Sequence, residues 1–378
     1  MIRPETRSKI PIVFEGQDVQ SSNAKRKYST PNENVNMSAV AAIQDEQHHR
    51  LEVKLKRELG EQILELLSDV RTEDILLNPD SSLWVKRMGE GFHRVGQMST
   101  TQAMSALSTI AAWRGTVVNH QNPILETELP LDGSRFEGIV SPVVRSPVFA
   151  IRLRPKRIFT LEEYEESEIL TAQSDPRNRL RRRDDFNGAV RGCTHGDIIR
   201  AAVREKKNIL IVGATGSGKT TFANACLAAL AKLTPHDRVV SIEDTTELQC
   251  AVNNYLDLRA VGEVTMLDCL RACMRLKPTR IVVGEVRGAE AHTLLKAWNT
   301  GHPGGMATVH ANDAVSGLIR LESLVAEATA APQQQLIAEA VDLVIFIDEE
   351  PDLAAGRKVR ELLLVTGYSS GAYQVEHV

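Results

Sequence analysis

The chain of 378 residues is poor in several things, and each shortage removes a class of function. Its five cysteines (Cys193, Cys226, Cys250, Cys269 and Cys273) are scattered, odd in number and without a C-x-x-C pair. Neither a disulfide framework nor a zinc site is supported, and reduced thiols are the simpler account. Aromatic residues make up only 4% of the chain, and no basic stripe with interleaved aromatics is present, so direct nucleic-acid binding is not expected. A formal net charge of -4 adds no general basic character. No apolar run approaches the roughly 20 residues of a membrane-spanning helix, and the start lacks a signal-peptide core. Any membrane link is expected to be peripheral or through partners. Length alone suggests two domains, since a domain usually holds roughly 100 to 200 residues.

What is present is organised around Asn208-Ile-Leu-Ile-Val-Gly-Ala-Thr-Gly-Ser-Gly-Lys-Thr-Thr221. An apolar run, Ile209 to Val212, reads as a buried parallel strand, and a helix is predicted from Lys219 to Leu230. Between them Gly213, Gly218, Lys219 and Thr220 keep the G-x-x-x-x-G-K-T spacing of a phosphate-binding loop. The residue types follow from the chemistry. The helix start offers unpaired N–H groups, and the glycines let the backbone of Gly213, Ala214, Thr215, Gly216, Ser217 and Gly218 curl around phosphate oxygens. Lys219 reaches the terminal phosphates, the Thr220 hydroxyl is suited to Mg²⁺, and Thr221 completes the binding set. An NTP-binding domain is expected.

In order along the chain, residues 1–36 are polar and aperiodic and read as a disordered tail or, because Met37 makes a natural start, as an upstream extension. Residues 37–155 read as an α+β domain. Leu51, Leu55, Leu59 and Ile63 set an amphipathic helix that Leu66, Leu67 and Val70 extend, and a second helix is predicted from Thr101 to Trp113. Short β-like runs at Ile75–Leu77, Leu83–Val85, Leu131–Ile139 and Pro147–Pro155 supply a sheet. Residues 156–191 turn sharply charged and are expected to be an exposed linker, with the Arg179–Arg183 cluster read as solvated charge. From 192 to 378, strand-like runs at 209–212, 239–242, 281–283, 306–309, 341–347 and 362–365 alternate with helical patterns. That alternation implies an α/β domain with a mainly parallel sheet, whose last strands pair antiparallel or continue it.

Three clusters downstream of the loop carry chemistry. Val239-Val-Ser-Ile-Glu-Asp-Thr-Thr-Glu247 ends a strand in acids, where open α/β sheets place their ligands. Glu243 is the candidate for the attacking water, while Asp244 serves equally as a helix cap. Arg280-Ile-Val-Val-Gly-Glu-Val-Arg287 ends in Glu285, which is suited to holding Mg²⁺ partly through water. The roles of Glu243 and Glu285 are interchangeable at this level. Thr300-Gly-His-Pro-Gly-Gly-Met-Ala-Thr-Val-His310 places His310 after another short strand, where an imidazole is able to report γ-phosphate occupancy, and His302 reads as a turn residue.

These segments resemble the traffic ATPases of type II and type IV secretion, and most closely the conjugative-transfer ATPases of the TrbB type. Gly213–Thr220 is similar to that family's Walker A, Ser241–Glu247 to its aspartate box, Gly284–Arg287 to its Walker B and Thr300–His310 to its histidine box. Leu76–Asp80 with Leu83–Lys86, Asp132–Phe136 and Ile151–Pro155 resemble its N-terminal segments, so the likeness runs from about Met37 to the end. The resemblance implies a homo-hexameric ring of RecA-like motor domains under a tier of N-terminal domains. It implies hydrolysis of ATP with Mg²⁺ in the cleft between a protomer's two domains, and phosphate-contacting arginines at Arg135 and Arg152. It implies a cytoplasmic motor peripheral to the inner membrane, working with other secretion ATPases and inner-membrane components in pilus biogenesis and transfer of DNA or protein. One departure is Lys277-Pro-Thr-Arg280, which lacks the family's usual acid before Arg280. The alternatives are a type IV pilus extension or retraction motor or type II secretion ATPase, a helicase, and a non-catalytic scaffold. The missing C-x-x-C pairs oppose the zinc-bearing extension branch, the missing basic stripe opposes the helicase, and intact Lys219, Glu243 and Glu285 oppose the scaffold.

Overall fold

A period of two governs the N-terminal domain. In the computed structural model, which describes residues 32–170 and 179–378, this domain contains α1 (Asn32–Ser68), β1 (Thr72–Leu77), β2 (Ser82–Arg87), β3 (Phe92–Gln97), α2 (Thr100–Trp113), β4 (Ile124–Glu128), β5 (Arg135–Ile139) and β6 (Val148–Arg152). The strands form one antiparallel sheet in the order β3-β2-β1-β6-β5-β4. Ile75, Leu77, Phe149 and Ile151 face the helices, where the α1 stripe Leu55, Leu59, Ile63, Leu66 and Leu67 meets Leu107 and Ile110 of α2. Leu76, Ile139, Val148 and Ala150 alternate to the other face and join the core of the second domain. Each such aliphatic side chain contributes about 1.5–3 kcal/mol when fully buried. The sheet is therefore a shared wall.

The first helix departs from expectation at both ends. Of the proposed tail, residues 1–31 lie outside the described residues, whereas 32–36 are already helical. At the other end Val70 falls beyond the helix and is 68% exposed, so the apolar stripe stops at Leu67. Inside α1 the backbone breaks at Gly60 (φ 78°, ψ 166°), a conformation that glycine adopts without a Cβ penalty.

The charged stretch 156–191 is not a linker throughout. It holds the short α3 (Leu161–Glu166), residues 171–178 outside the described set, and α4 (Arg179–Val190). Arg183, Phe186, Asn187 and Val190 of α4 are buried at helical spacing, and Phe186 and Val190 pack in the core of the second domain. The Arg183 guanidinium is not solvated: it bonds Asp342 Oδ1 at 2.9 and 3.1 Å and the Ala338 carbonyl at 2.8 Å. A buried arginine keeps its charge only with such partners, which composition alone does not reveal.

The second domain continues with α5 (His195–Arg204), β7 (Ile209–Gly213), α6 (Lys219–Leu233), β8 (Arg238–Glu243), β9 (Asn254–Arg259), α7 (Met266–Cys273), β10 (Arg280–Val283), α8 (Glu290–Asn299), β11 (Met306–His310), α9 (Ala314–Ala326), α10 (Gln334–Ala340), β12 (Leu343–Glu349), β13 (Arg357–Ser369) and β14 (Ala372–His377). Its eight strands lie in the order β14-β13-β12-β7-β11-β10-β8-β9. From β12 to β9 all neighbours are parallel, and β13 and β14 add antiparallel at one edge. β9 and β14 have no counterpart in the sequence reading, because Asp257, Gln374 and Glu376 interrupt their apolar runs.

β1 of the N-terminal sheet docks at the amino ends of β8 and β10. Asp74 pairs with Lys277, just before β10, at 3.2 Å. The buried Arg238, first residue of β8, donates to Asn78 Oδ1 and to the Leu276 carbonyl, both at 2.7 Å. Burial holds its guanidinium down at about 10. Arg280 resolves the departure noted in its motif: it takes its carboxylate from Asp237 at 2.6 Å and also bonds the Val203 carbonyl at 2.8 Å. No described helix is long and apolar enough to cross a membrane.

Candidate functional site

Four neighbouring parallel strands deliver the sequence-predicted residues to one edge. β7 ends in the phosphate-loop glycine Gly213, β11 in His310, β10 leads into Glu285, and β8 ends in Glu243. Gly213 and His310 are register partners, so loop and histidine are adjacent by construction. This is the carboxyl end of the sheet, where open α/β folds bind ligands.

The loop has the conformation its glycines allow. Gly216 (φ 83°) and Gly218 (φ 93°) lie in the left-handed region, and Gly218 is the N-cap of α6 without any side-chain cap. The first N–H groups of α6 are therefore left for a ligand. At Gly213 a Cβ would collide with the Ile347 carbonyl and the Ser217 hydroxyl, so only glycine fits the close approach to β12. Ser217 is fully buried and its Oγ has no partner, an orphan acceptor and donor inside the cradle. Ala214, Thr215, Gly216 and Thr221 are exposed, and Thr220 is half-buried with its hydroxyl unengaged by described residues. These features fit a triphosphate, and the free Thr220 hydroxyl fits Mg²⁺, which usually keeps only one or two protein oxygens beside phosphate.

Around the loop runs a chain of charged contacts. The buried Lys219 Nζ donates to the carbonyls of Gly213 (3.0 Å) and Ala214 (2.8 Å) and to His310 Nδ1 (3.2 Å). Because an ammonium only donates, Nδ1 is the acceptor and the His310 proton sits on Nε2, 2.9 Å from Glu285 Oε1. Glu285 Oε2 accepts from Arg287 at 2.8 Å, and Arg287 reaches Asp244 at 2.5 Å. Burial lowers the Lys219 ammonium from its ordinary value, with Glu285 opposing the fall. Burial and then the Lys219 charge lower His310, so the imidazole is neutral at neutral pH.

Glu243 is arranged differently. Its Oε1 accepts from the backbone N–H of Glu247 (3.0 Å) and Leu248 (2.9 Å), which orients the carboxylate. Burial raises this carboxyl above the usual range, and the two N–H bonds hold it back. A Cβ on Gly284 would lie 2.9 Å from Glu243 Cγ, so the Walker-like glycine is where the two acidic strands touch. Sequence reasoning did not separate the acids by geometry: both Glu285 oxygens are engaged, whereas Glu243 Oε2 is left for another partner. Asp244 is exposed and is not purely a cap, since one oxygen accepts from Thr245 N–H and the other holds Arg287. His302 is a turn residue, its Nδ1 2.9 Å from the Pro278 carbonyl.

The two N-terminal arginines are not at this edge. Arg135 and Arg152 are register partners, and Arg152 is in turn the partner of Asp74, which is held by Lys277. Together they line a cleft of about 920 Å³ at the amino end of the motor sheet, opposite the phosphate loop. A cleft between one protomer's own domains with these arginines on its phosphates is therefore not formed within this chain. The reason is the docking already described, which fixes β1 and β6 to the start of β10 rather than its end. In that cleft Lys86 is paired with Glu73 (2.5 Å), Arg154 with Glu128 (3.0 Å) and Lys277 with Asp74. Arg135 and Arg152 are exposed and have no ion-pair partner among the described residues.

Residues outside the predicted set also meet the loop. Glu349 and Arg357, opposite each other in the β12–β13 hairpin, lie over Gly216 and Gly218. Nothing in their local sequence signals this, because only the antiparallel return of β13 brings them there.

Comparison with known proteins agrees with this architecture. Residues 58–349 match the family described as type II/IV secretion system protein. A probable conjugal transfer protein TrbB of Sinorhizobium fredii is 42% identical over 329 residues, 87% of this chain and 94% of that protein. The protein VirB11 of Agrobacterium fabrum is 31% identical over 301 residues, 75% of this chain and 86% of its own. Among solved structures, the VirB11 ATPase from the Brucella suis type IV secretion system, in complex with sulphate, superposes with a TM-score of 0.77 at 23% identity. It covers 84% of this chain and 96% of that one, and shares its fold.

Proposed function

The chain belongs to the type II/IV secretion system protein family, and from that premise we propose that it is the ATP-hydrolysing motor of a conjugative type IV secretion system. The observation that carries the reading is the contact chain from Lys219 through His310 and Glu285 to Arg287, closed around the phosphate loop. Glu243 Oε2, free on an oriented and partly desolvated carboxylate, is the group to accept a proton from the attacking water. Lys219 binds the terminal phosphates by leaving the Gly213 and Ala214 carbonyls, and His310 then loses its donor. That loss is transmitted to Glu285 and Arg287, so occupancy of the γ-phosphate is read out along the β10 edge. Thr220, with Glu285 through water, would hold Mg²⁺ beside the nucleotide, where the ion would supply positive charge to the phosphates.

The unpaired Arg135 and Arg152 extend the proposal to assembly. Held at the wrong end for their own loop, they serve the loop of an adjacent copy, and a closed homo-hexamer of RecA-like motors supplies every site in this way. An arginine arriving on a transferred phosphoryl group is worth roughly 10³- to 10⁵-fold in rate. Such a ring works at the cytoplasmic face of the inner membrane with the other ATPases and membrane components of the apparatus.

Mixing two inactive variants tests this. Lys219→Ala keeps the arginines and loses the loop, and Arg152→Ala keeps the loop and loses the arginine. Each alone is expected to be at least about 10³-fold slow, and an equimolar mixture is expected to regain a substantial share of turnover at sites joining an intact loop to an intact arginine. A mixture no faster than its components would refute sharing between copies, and Lys219→Ala turning over at the wild-type rate would refute the motor site itself.

A further inference from the structure

We propose that Arg357 is a nucleotide-binding residue, delivered by the β12–β13 hairpin to the α- and β-phosphates held at the start of α6. The proposal rests on the phosphate-loop reading above and adds a contact that neither the motif nor the charged chain contains. Arg357 opens β13 directly after the turn at Gly356 (φ 67°), and its register partner across the hairpin is Glu349. A Cβ built on Gly218 would sit 2.9 Å from Arg357 Cδ and 2.9 Å from its guanidinium carbon, so the side chain lies against the glycine that caps α6. The guanidinium is half-buried and makes no hydrogen bond or ion pair with a described residue. Every other arginine described above inside the motor domain has a carboxylate or carbonyl partner: Arg183, Arg238, Arg280 and Arg287.

A partly desolvated guanidinium without a counter-charge is costly unless an anion completes it. The position says which anion. In this loop geometry the backbone N–H groups cradle the α- and β-phosphates while the lysine takes the β- and γ-phosphates. Gly218 lies at the helix start, on the cradle, so Arg357 meets oxygens that ADP and ATP share. Its forked donors suit phosphate bidentately, which an ammonium does not. Glu349 has the opposite effect: its Oε1 lies 3.6 Å from where a Gly216 Cβ would be, so its charge opposes an incoming phosphate. The hairpin thus brings one attractive and one repulsive charge to the loop.

Equilibrium binding of ADP, ATP and adenosine to the full chain tests this. Arg357→Gln is expected to weaken ADP and ATP equally, by about 10- to 100-fold, the range for a lost charge-assisted hydrogen bond, and to leave adenosine binding unchanged. Arg357→Lys is expected to recover part of the loss, and Glu349→Gln to strengthen ADP binding a few-fold. A purely structural hairpin pair would instead lower the melting temperature of the nucleotide-free protein while ADP affinity stayed the same, which overturns the proposal. Unchanged ADP affinity in Arg357→Gln with binding abolished in Lys219→Ala rejects Arg357 and spares the loop. Unchanged affinity in both rejects the loop reading as well.

Discussion

The two ends of the parallel sheet use the same cations for different purposes. At the amino end Arg183, Arg238 and Arg280 are buried, and each is fixed by several acceptors from distant segments. At the carboxyl end Lys219 and Arg287 are held by a few partners in a row, next to the phosphate-loop cradle. A buried guanidinium held by several fixed acceptors contributes position and nothing else. A cation whose partners are a histidine and a neighbouring carboxylate can exchange them when phosphate arrives, and its new position is then felt by the next residue in the row. Burial and the number of fixed acceptors, more than residue type, separate the structural end from the phosphate-loop end.

That contrast is sharpest for two substitutions that each remove one polar group. Glu243→Gln keeps the shape and the oxygen that accepts from Glu247 and Leu248, but loses the basic oxygen. Turnover is expected to fall roughly 10²- to 10⁴-fold with nucleotide affinity and melting temperature preserved. Single-turnover kinetics beside a thermal melt checks this, and a rate within about twofold of wild type would transfer the base to another residue.

Arg280→Ala acts at the opposite end and on the opposite property. It strands the Asp237 carboxylate, which then keeps only Lys206 at 2.8 Å, and removes the donor to the Val203 and Gly304 carbonyls. Breaking one partner of a buried pair typically costs about 3–5 kcal/mol. The chain is expected to lose that stability in urea unfolding, while whatever fraction remains folded hydrolyses ATP at the normal rate per site. A folded, stable Arg280→Ala protein with a slow chemical step would erase the distinction between the two ends.

The position of the phosphate-loop end was largely legible in the sequence, because each of its groups sits at the end of an apolar run. Gly213, Glu243, Glu285 and His310 could be placed on one edge from the rule that parallel strands end together. What was not legible depends on contacts between distant segments. Arg183 hides in a run that reads as a charged linker, because the stripe Arg183, Phe186, Asn187 and Val190 contains two polar residues and the partners of Arg183, Ala338 of α10 and Asp342 just before β12, are distant in sequence. Arg357 reaches Gly218 only because β13 returns antiparallel. Arg135 and Arg152 matched the N-terminal motifs, yet the end of the sheet they reach was set by Asp74 and Lys277, a pair separated by about two hundred positions that no local pattern connects.

The smallest expected effect concerns that docking interface and a second acid within it. Glu137 lies on β5, faces the motor domain, and is 2% exposed. Burial pushes its carboxyl up from 4.5 to about 8, while Arg275, 3.6 Å away, favours the charged form and opposes the rise. The folded state therefore holds a proton on Glu137 that the unfolded chain releases near its ordinary value. Between roughly pH 5 and 8 the native state binds more protons than the unfolded one, so its stability falls as pH rises. A pKa unit is worth about 1.4 kcal/mol, and with Arg275 cancelling part of the burial effect the loss is expected to be about 1–2 kcal/mol across that window. Glu137→Gln keeps a neutral, similarly shaped side chain at every pH and abolishes this linkage. Urea unfolding at pH 5.5 and pH 8 is expected to show the wild-type chain losing about 1–2 kcal/mol more than the variant, with the variant the more stable of the two at pH 8. Equal losses would mean that Arg275 holds Glu137 ionised throughout, and that the interface is an ordinary buried ion pair rather than one fastened by a retained proton.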